Sequence, residues 1–205
     1  MFLFVSNSAC MLIASKLEET SGPTVDDFVY ISDSSYTRKE ITKMELRICS
    51  SLCFHLRYIT PFDFVDRFLR ASSVSSQQAL CCTQPTHPTC KFMVQYLLEL
   101  AAMSYDLVAK PPSLIAASAV FLARATLGIC DPQENDARAW SKTLCHYTGY
   151  SVCELQETVR IIFEAQKNAE QSDLKSVFTK YKARKYERIA LKTVLNDDQL
   201  LFATY

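Results

Sequence analysis

Residues 9–20 of the chain read ACMLIASKLEET, a short apolar stretch that ends abruptly in charge. Its apolar residues recur at the i, i+3, i+4, i+8 spacing of one helical face: Ala9, Leu12, Ile13 and Leu17. Small residues keep the other faces narrow, which is typical of a helix packed on several sides. We place the function in the last turn, at residues 16–19. The alternative from spacing alone is a core helix whose polar end only reaches solvent.

The composition favours an all-α fold. The chain has 205 residues, enough for one or two domains. It contains only 3 Gly and 7 Pro, too few to form the turns that many short strands would need. Lys plus Arg and Asp plus Glu are balanced at 22 each, so no overall field attracts nucleic acid or an anionic membrane. We therefore expect the partner to be another protein.

The 9 cysteines are odd in number and show no regular spacing, which favours a reducing compartment. The first residues, MFLFVSNSACMLIA, resemble a signal peptide but lack a basic start, and polar residues interrupt their apolar run. No stretch reaches the roughly 18 apolar residues of a membrane span. We expect neither secretion nor a membrane segment.

Helix-start signals recur along the chain. Capping boxes are predicted at Thr24 with Asp27, at Thr37 with Glu40 and at Ser151 with Glu154. In the last two boxes a tyrosine precedes the cap and an apolar residue follows the glutamate, so that Tyr36 and Tyr150 can each form a hydrophobic staple. These two boxes stand 151 minus 37, or 114, residues apart. The repeat predicts two copies of one helical domain.

Other helices are predicted from periodicity and from proline positions. They cover residues 37–52, a stretch beginning at Pro61, and residues 91–107, 113–127 and 137–146. Glu45 lies within about 40 degrees of the centre of the apolar stripe on residues 37–52. A carboxylate there needs a partner, which is either a neighbouring Lys or Arg or a group on another protein.

The chain resembles a cyclin of the mitotic A or B type. The resemblance rests on ASKLEE (14–19) with DDFVYISDSSYTRKEITKMELRI (26–48), and then on TPFDFVDRFLR, KPPSLIAASAVFLA, HYTGYSVCEL and KYKARKYERIA. It implies an all-α fold of tandem cyclin-box helical bundles, the first lacking its first two helices. Residues 1–56 would form the partial N-terminal box, residues 57–190 the C-terminal box with its extension, and residues 191–205 a tail.

The resemblance implies a regulatory subunit that binds and activates a cyclin-dependent kinase and has no catalytic residue of its own. It places the kinase contacts at eight positions: Lys16, Glu45, Ile13, Leu17, Glu19, Cys49, Phe54 and Leu56. The bound surface would select the kinase conformation in which the regulatory helix is rotated inward. No cofactor, metal, nucleic acid, membrane or small-molecule substrate is expected, and the expected location is the nucleus and cytoplasm.

One departure from the family concerns substrate docking. Nothing in the chain matches the MRAIL-type motif, so no docking groove for substrate peptides is inferred, and a shortened gene model is the expected cause. We expect residues 1–56 to be loosely held in isolation and residues 60–170 to fold.

Four alternatives remain open from the residues. A loop with Cys81, Cys82, His87 and Cys90 offers zinc ligands, although its spacing is not that of a finger or ribbon. A basic C-terminal stretch could bind nucleic acid or direct nuclear import, but the balanced net charge favours a solvated helix face anchored by tyrosines. The stretch contains Lys175, Lys180, Lys182, Arg184, Lys185 and Arg188 with Tyr181 and Tyr186. A cyclin-box adaptor in transcription is the main alternative function. An enzyme is the weakest hypothesis, since no nucleophile, paired-carboxylate or phosphate-loop arrangement is recognisable.

Overall fold

The structure is a computed structural model that describes residues 2–73, 88–129, 140–192 and residue 195. Within these ranges it contains nine α-helices and no strand, so the predicted all-α class is confirmed. Short 3-10 turns cover Tyr105–Leu107, Arg184–Tyr186 and Ile189–Leu191. The helices are α1 (Phe2–Glu18), α2 (Val25–Ile31), α3 (Arg38–Ser51), α4 (Pro61–Ser73), α5 (Pro88–Ala101), α6 (Pro112–Thr126), α7 (Lys142–Thr148), α8 (Val152–Asn168) and α9 (Ser176–Lys182).

The chain divides into a first unit, residues 1–58, and a second unit, residues 59–205. Each unit has its own cluster of buried apolar residues. Most of the tail predicted for residues 191–205 falls outside the described residues, and that boundary stays a prediction.

In the first unit, α1 packs mainly on α3, and α2 contacts both of these helices. The buried cluster of this unit is small and consists of Val5, Leu12, Phe28 and Ile41. Three of the four residues predicted for one face of α1 are buried, while Leu17 is 50% exposed at its end. The core therefore lies under the middle of α1 and leaves the last turn accessible.

The first helix begins earlier than the sequence pattern predicted. It was expected to start at Ala9, but it extends back to Phe2 through the polar residues 6–8. Val5 lies one turn before Ala9 on the same face, and both are buried. Burial of this stripe outweighs the weak helix preference of the intervening Ser and Asn residues.

All three predicted capping boxes are present. The Asp27, Glu40 and Glu154 carboxylates accept the backbone N–H of Thr24, Thr37 and Ser151 at 2.6, 2.9 and 2.8 Å. Hydrogen bonds from the cap residues lower the pKa of all three carboxyl groups. The Tyr36 ring packs on the cluster that contains Ile41, in agreement with the predicted staple. Local sequence signals therefore set these helix starts.

The second unit is organised around α6. Every residue from Ile115 to Arg124 is buried, and small alanines let α4, α5 and α8 approach the helix closely. The helix spans nearly the residues 113–127 that the sequence predicted. The buried cluster here contains 31 of the described residues. This unit therefore has a much larger core than the first unit.

Two element predictions differ at their ends. The helix expected over residues 91–107 ends at Ala101, and the backbone is extended at Ser104 (φ −93°, ψ 118°) before a 3-10 turn in which Leu107 is buried. The helix expected over residues 137–146 begins at Lys142, after the Ser141 cap, and ends before Gly149 in the left-handed conformation. Residues 137–139 of that prediction lie outside the described residues.

Candidate functional site

Lys16 and Glu45 form an ion pair between two helices of the first unit. Nζ of Lys16, in the last turn of α1, lies 2.5 Å from Oε1 of Glu45 on α3. The Lys16 side chain is 53% exposed and the Glu45 side chain is 17% exposed. The partner that the sequence analysis required for Glu45 is therefore present within the chain. Because Lys16 remains half exposed, the pair contributes about 1 kcal/mol or less to stability.

A groove runs along α3 beside this ion pair. Its volume is about 670 Å³. Its lining residues are Arg38, Lys39, Thr42, Lys43, Glu45, Leu46, Cys49 and Phe54. We call this surface the α3 groove. It is cationic and polar at the start of the helix and apolar toward Phe54, so it can accommodate a protein segment with two kinds of side chain.

The structure brings together some of the predicted site residues but not all of them. Glu45, Cys49 and Phe54 line the α3 groove, and Lys16 is joined to it through Glu45. The other four predicted residues, Ile13, Leu17, Glu19 and Leu56, are not in its lining.

Burial divides the predicted apolar contacts into two groups. Ile13 and Cys49 are each 8% exposed and mainly pack inside the unit. Leu17 and Phe54 are 50% and 65% exposed, and Leu56 is half buried. Of these five apolar residues, Leu17 and Phe54 are the most exposed and so offer a partner the most apolar surface.

Phe54 is held in an unusual backbone conformation. Cys53 and Phe54 have φ values of 49° and 58°, in the left-handed region that residues other than glycine seldom adopt. The N–H of Phe54 donates to the carbonyl oxygen of Cys49 at 2.8 Å, which closes the end of α3. This turn fixes the Phe54 backbone beside the groove. No glycine marks this turn in the sequence, so the left-handed conformation was not predicted.

Several groove residues were not among the predicted contacts. Arg38, Lys39, Thr42, Lys43 and Leu46 all line the groove. Their signal in the sequence is the face of α3 opposite the buried stripe, where cations and a leucine recur at helical spacing.

The metal hypothesis stays untested. Cys81, Cys82 and His87 lie outside the described residues, and the remaining candidate, Cys90, is buried. Burial raises the pKa of the Cys90 thiol to about 11. In the described ranges no three His, Cys, Asp or Glu side chains are grouped as metal ligands. None of the described helices is both long and apolar enough to span a bilayer.

The basic C-terminal stretch is partly engaged inside the second unit. Nζ of Lys180 lies 2.6 Å from Oε1 of Glu99 on α5 and sits over the rings of Tyr181 and Tyr186. Lys180 thus anchors α9 to α5. The other basic residues of this stretch are exposed: Lys175, Lys182, Arg184, Lys185 and Arg188.

Comparison with known families accounts for both units. Residues 4–57 match the cyclin N-terminal domain, and residues 59–195 match the cyclin C-terminal domain. The chain belongs to the cyclin family, as its sequence motifs indicated.

Similar curated proteins are A-type cyclins. Cyclin-A2-1 of Arabidopsis thaliana is 40% identical over 184 residues, which are 90% of this chain and 39% of that protein. Cyclin-A3-1 of Oryza sativa subsp. japonica is 37% identical over 182 residues, which are 89% of this chain and 45% of that protein. The chain thus spans about two fifths of the length of these relatives.

Proposed function

We propose that the chain is a regulatory subunit that binds and activates a cyclin-dependent kinase in the mitotic cell cycle. The observation that carries this proposal is the Lys16–Glu45 ion pair at the edge of the α3 groove, within a unit that matches the cyclin N-terminal domain. The similarity to A-type cyclins supports it. The same relatives give no support to the transcription adaptor.

The ion pair has hydrogen-bonding capacity left for a partner. The Lys16 ammonium has three donors, of which Glu45 takes one, and the Glu45 carboxylate has a second oxygen. Both residues can therefore bond to backbone groups of the kinase while they remain paired with each other. Charge-assisted bonds of this kind fix the register of a partner more strongly than neutral ones do.

Phe54 supplies an apolar anchor. Burying an aromatic side chain of this size contributes about 1.5–3 kcal/mol, and well-packed aromatic residues dominate the energetics of many interfaces. Because its backbone is held by the turn at the end of α3, Phe54 loses less conformational freedom on binding than a residue of a free loop would.

Activation then follows from selective binding. The surface binds the active kinase conformation more tightly than the inactive one, and the difference in affinity sets the size of the shift. Moving a kinase from one per cent to ninety-nine per cent active requires a difference of about 5.5 kcal/mol. The chain itself performs no catalysis in this proposal, and the kinase supplies the catalytic residues.

The remaining expectations belong to the same proposal. The partner is a protein kinase, and neither a nucleic acid, a small-molecule substrate nor a cofactor is required. Nucleus and cytoplasm are the proposed location, supported by six described cysteines that are free thiols.

The test is binding and activation of a purified mitotic cyclin-dependent kinase by the full chain and by Lys16→Ala and Glu45→Ala. Each substitution removes one side of the ion pair, and we expect each to weaken binding about tenfold or more. The matched controls are Lys91→Ala and Asp66→Ala, which break an exposed ion pair of 3.0 Å in the second unit. These controls should leave binding unchanged.

Two outcomes would contradict the proposal in different ways. If the intact chain binds and the Lys16 and Glu45 variants bind equally well, the interface is wrongly assigned. If the intact folded chain neither binds nor activates any mitotic cyclin-dependent kinase, the proposed function itself is wrong.

A further inference from the structure

Positive charge is concentrated in the C-terminal segment of the second unit. Residues 175–192 contain seven Lys or Arg side chains and one carboxylate, Glu187, so their net charge is 7 minus 1, or +6. The whole chain has a net charge of zero. All seven cationic residues are exposed, and Lys180 is the one described above as paired with Glu99. We call the other six the basic face: Lys175, Lys182, Arg184, Lys185, Arg188 and Lys192.

Contacts inside the chain do not account for the basic face. Within the described ranges none of its six side chains forms an ion pair or a hydrogen bond with a carboxylate. The macrodipole of α9 favours Lys182 in its last turn, but Arg184, Lys185 and Arg188 lie beyond the end of that helix. Like charges placed this close repel one another, so the cluster favours an anionic ligand from outside the chain.

Buried side chains hold this segment on the rest of the second unit. Tyr181 and Ile189 are each 1% exposed, and both belong to the large buried cluster. The half-buried Tyr186 ring meets the Phe92 ring edge-on, with 5.6 Å between their centroids. Because these anchors alternate with the cations along the chain, the anchors face inward and the cations remain in solvent. The basic face is therefore a fixed surface of the folded unit.

The backbone of the basic face contains two strained residues. Glu187 and Arg188 both have φ values of 53°, in the left-handed region that residues other than glycine seldom adopt. The N–H of Arg188 donates to the carbonyl oxygen of Ala183 at 3.3 Å, and the Glu187 carboxylate accepts from the Thr89 hydroxyl. Strain of this kind costs about 1–3 kcal/mol per residue and is concentrated at functional sites. A partner that binds Arg188 would meet a backbone that is already ordered.

The surroundings of the basic face favour a protein ligand over a nucleic acid. Proteins that bind single-stranded nucleic acids stack the bases on exposed aromatic rings. Here Tyr181 is buried, and Tyr186 packs against Phe92 and Tyr181. Leu191, next to the cations, is 50% exposed and offers an apolar contact to a protein segment.

We propose that the basic face binds an acidic segment of a partner protein, whose carboxylates pair with Arg184 and Arg188. Charge complementarity is the argument for this occupant, since the planar guanidinium group matches a carboxylate with two parallel hydrogen bonds. The basic face shares no residue with the α3 groove, so this binding does not require the kinase contacts proposed above.

The test measures binding of the full chain to a fluorescein-labelled acidic peptide of about ten Asp and Glu residues, by anisotropy at about 0.15 M salt. We expect saturable binding that Arg184→Glu combined with Arg188→Glu weakens about tenfold or more. The melting temperature should change little, because neither arginine has an ion-pair partner in the described ranges. Arg184→Gln with Arg188→Gln removes the charges without adding carboxylates beside Glu187, and it should weaken binding about threefold.

The matched control combines Arg57→Glu and Arg160→Glu, which change the net charge equally at exposed positions outside the basic face. It should bind the peptide nearly as tightly as the unmodified chain. A labelled single-stranded oligonucleotide of the same length is the second probe, and we expect it to bind more weakly than the peptide.

Four results would each overturn the proposal. The first is no saturable binding of the peptide to the unmodified chain. The second is unchanged binding by the folded Arg184 and Arg188 variants, and the third is an equal loss in the control pair, which would make net charge the cause. The fourth is tighter binding of the oligonucleotide that is lost in the same arginine variants, which would make the ligand a nucleic acid.

Discussion

The hydroxyl of Tyr181 donates a hydrogen bond to Oε1 of Glu99 over 2.7 Å, and it joins two residues that are 82 positions apart. The Tyr181 ring is fully buried and packs against Tyr96 and Tyr186. Burial, followed by the bond to the Glu99 carboxylate, raises the pKa of Tyr181 well above its usual range. This contact holds the C-terminal segment of the second unit on α5.

Tyr181→Phe should lower the stability of the second unit and change its response to alkaline pH. The lost bond to Glu99 is worth about 1.5–3 kcal/mol at neutral pH, because its acceptor is charged. An unfolded tyrosine loses its proton near pH 10. Above that pH the folded chain binds more protons than the unfolded chain, so the free energy of unfolding falls as pH rises.

The variant removes this ionisable group, so its loss of stability above pH 10 should be shallower by up to about 1.4 kcal/mol per pH unit. Urea unfolding at pH 7, 9, 10 and 11 measures the slope. Tyr105→Phe makes the same change at an exposed phenol and serves as the control. Tyr96, whose pKa burial raises to about 12, keeps its own contribution in both variants. Equal slopes for both variants would show that the Tyr181 phenol does not control the alkaline response.

Thr37→Ala should destabilise α3 and with it the groove. The substitution removes the hydroxyl that accepts the Glu40 N–H at 3.3 Å and donates to the Glu40 carboxylate at 2.8 Å. Loss of a cap of this type costs about 1 kcal/mol. The Glu40 pKa is lowered by bonds from Thr37, so their contribution is present above about pH 4.3 and is lost as pH falls.

The measurement is thermal unfolding at pH 7 together with kinase binding. Thr37→Ser keeps a hydroxyl and should restore most of the stability. Ser50→Ala, at an exposed position late in the same helix, is the control and should be neutral or slightly stabilising. A Thr37→Ala protein as stable as the Ser50 control would argue against the cap.

Hydrogen exchange should be faster in the first unit than in the second. The first unit is held by a buried cluster of four residues, whereas the second has 31 among the described residues. Fewer buried apolar contacts mean less costly local opening. Exchange of the full chain, followed by mass spectrometry, should show the strongest protection in α6. Equal protection of α3 and α6 would contradict this expectation.

Some features of the fold and of the site could be predicted because their signals lie within a few residues of each other. The caps at Thr37 and Ser151 depend on residues three positions apart, and Pro61 begins α4 as its fixed φ predicts. The lone carboxylate beside an apolar stripe indicated that Glu45 needed a partner. The assignment of the eight kinase contacts came from the family resemblance and stays a prediction.

Other features could not be predicted because they depend on distant residues or on unfavourable local conformations. The left-handed backbone conformation at Cys53 and Phe54 is not marked by a glycine in the sequence. The extension of α1 to Phe2 follows from the burial of Val5 against other helices. The sequence pattern did not predict this extension, because polar residues interrupt the apolar periodicity between Val5 and Ala9.

By itself, the sequence determined the all-α class and the repeated capping device, because helical periodicity and caps act over a few residues, and its longer motifs carried the resemblance to the family. Only the tertiary structure decided that Lys16 pairs with Glu45, 29 residues away, since that contact requires α1 to pack on α3. It also decided that Lys39 and Lys43 face the α3 groove without a partner in the described chain. The physical reason is that a helix face becomes an interior or a binding surface only through what packs against it.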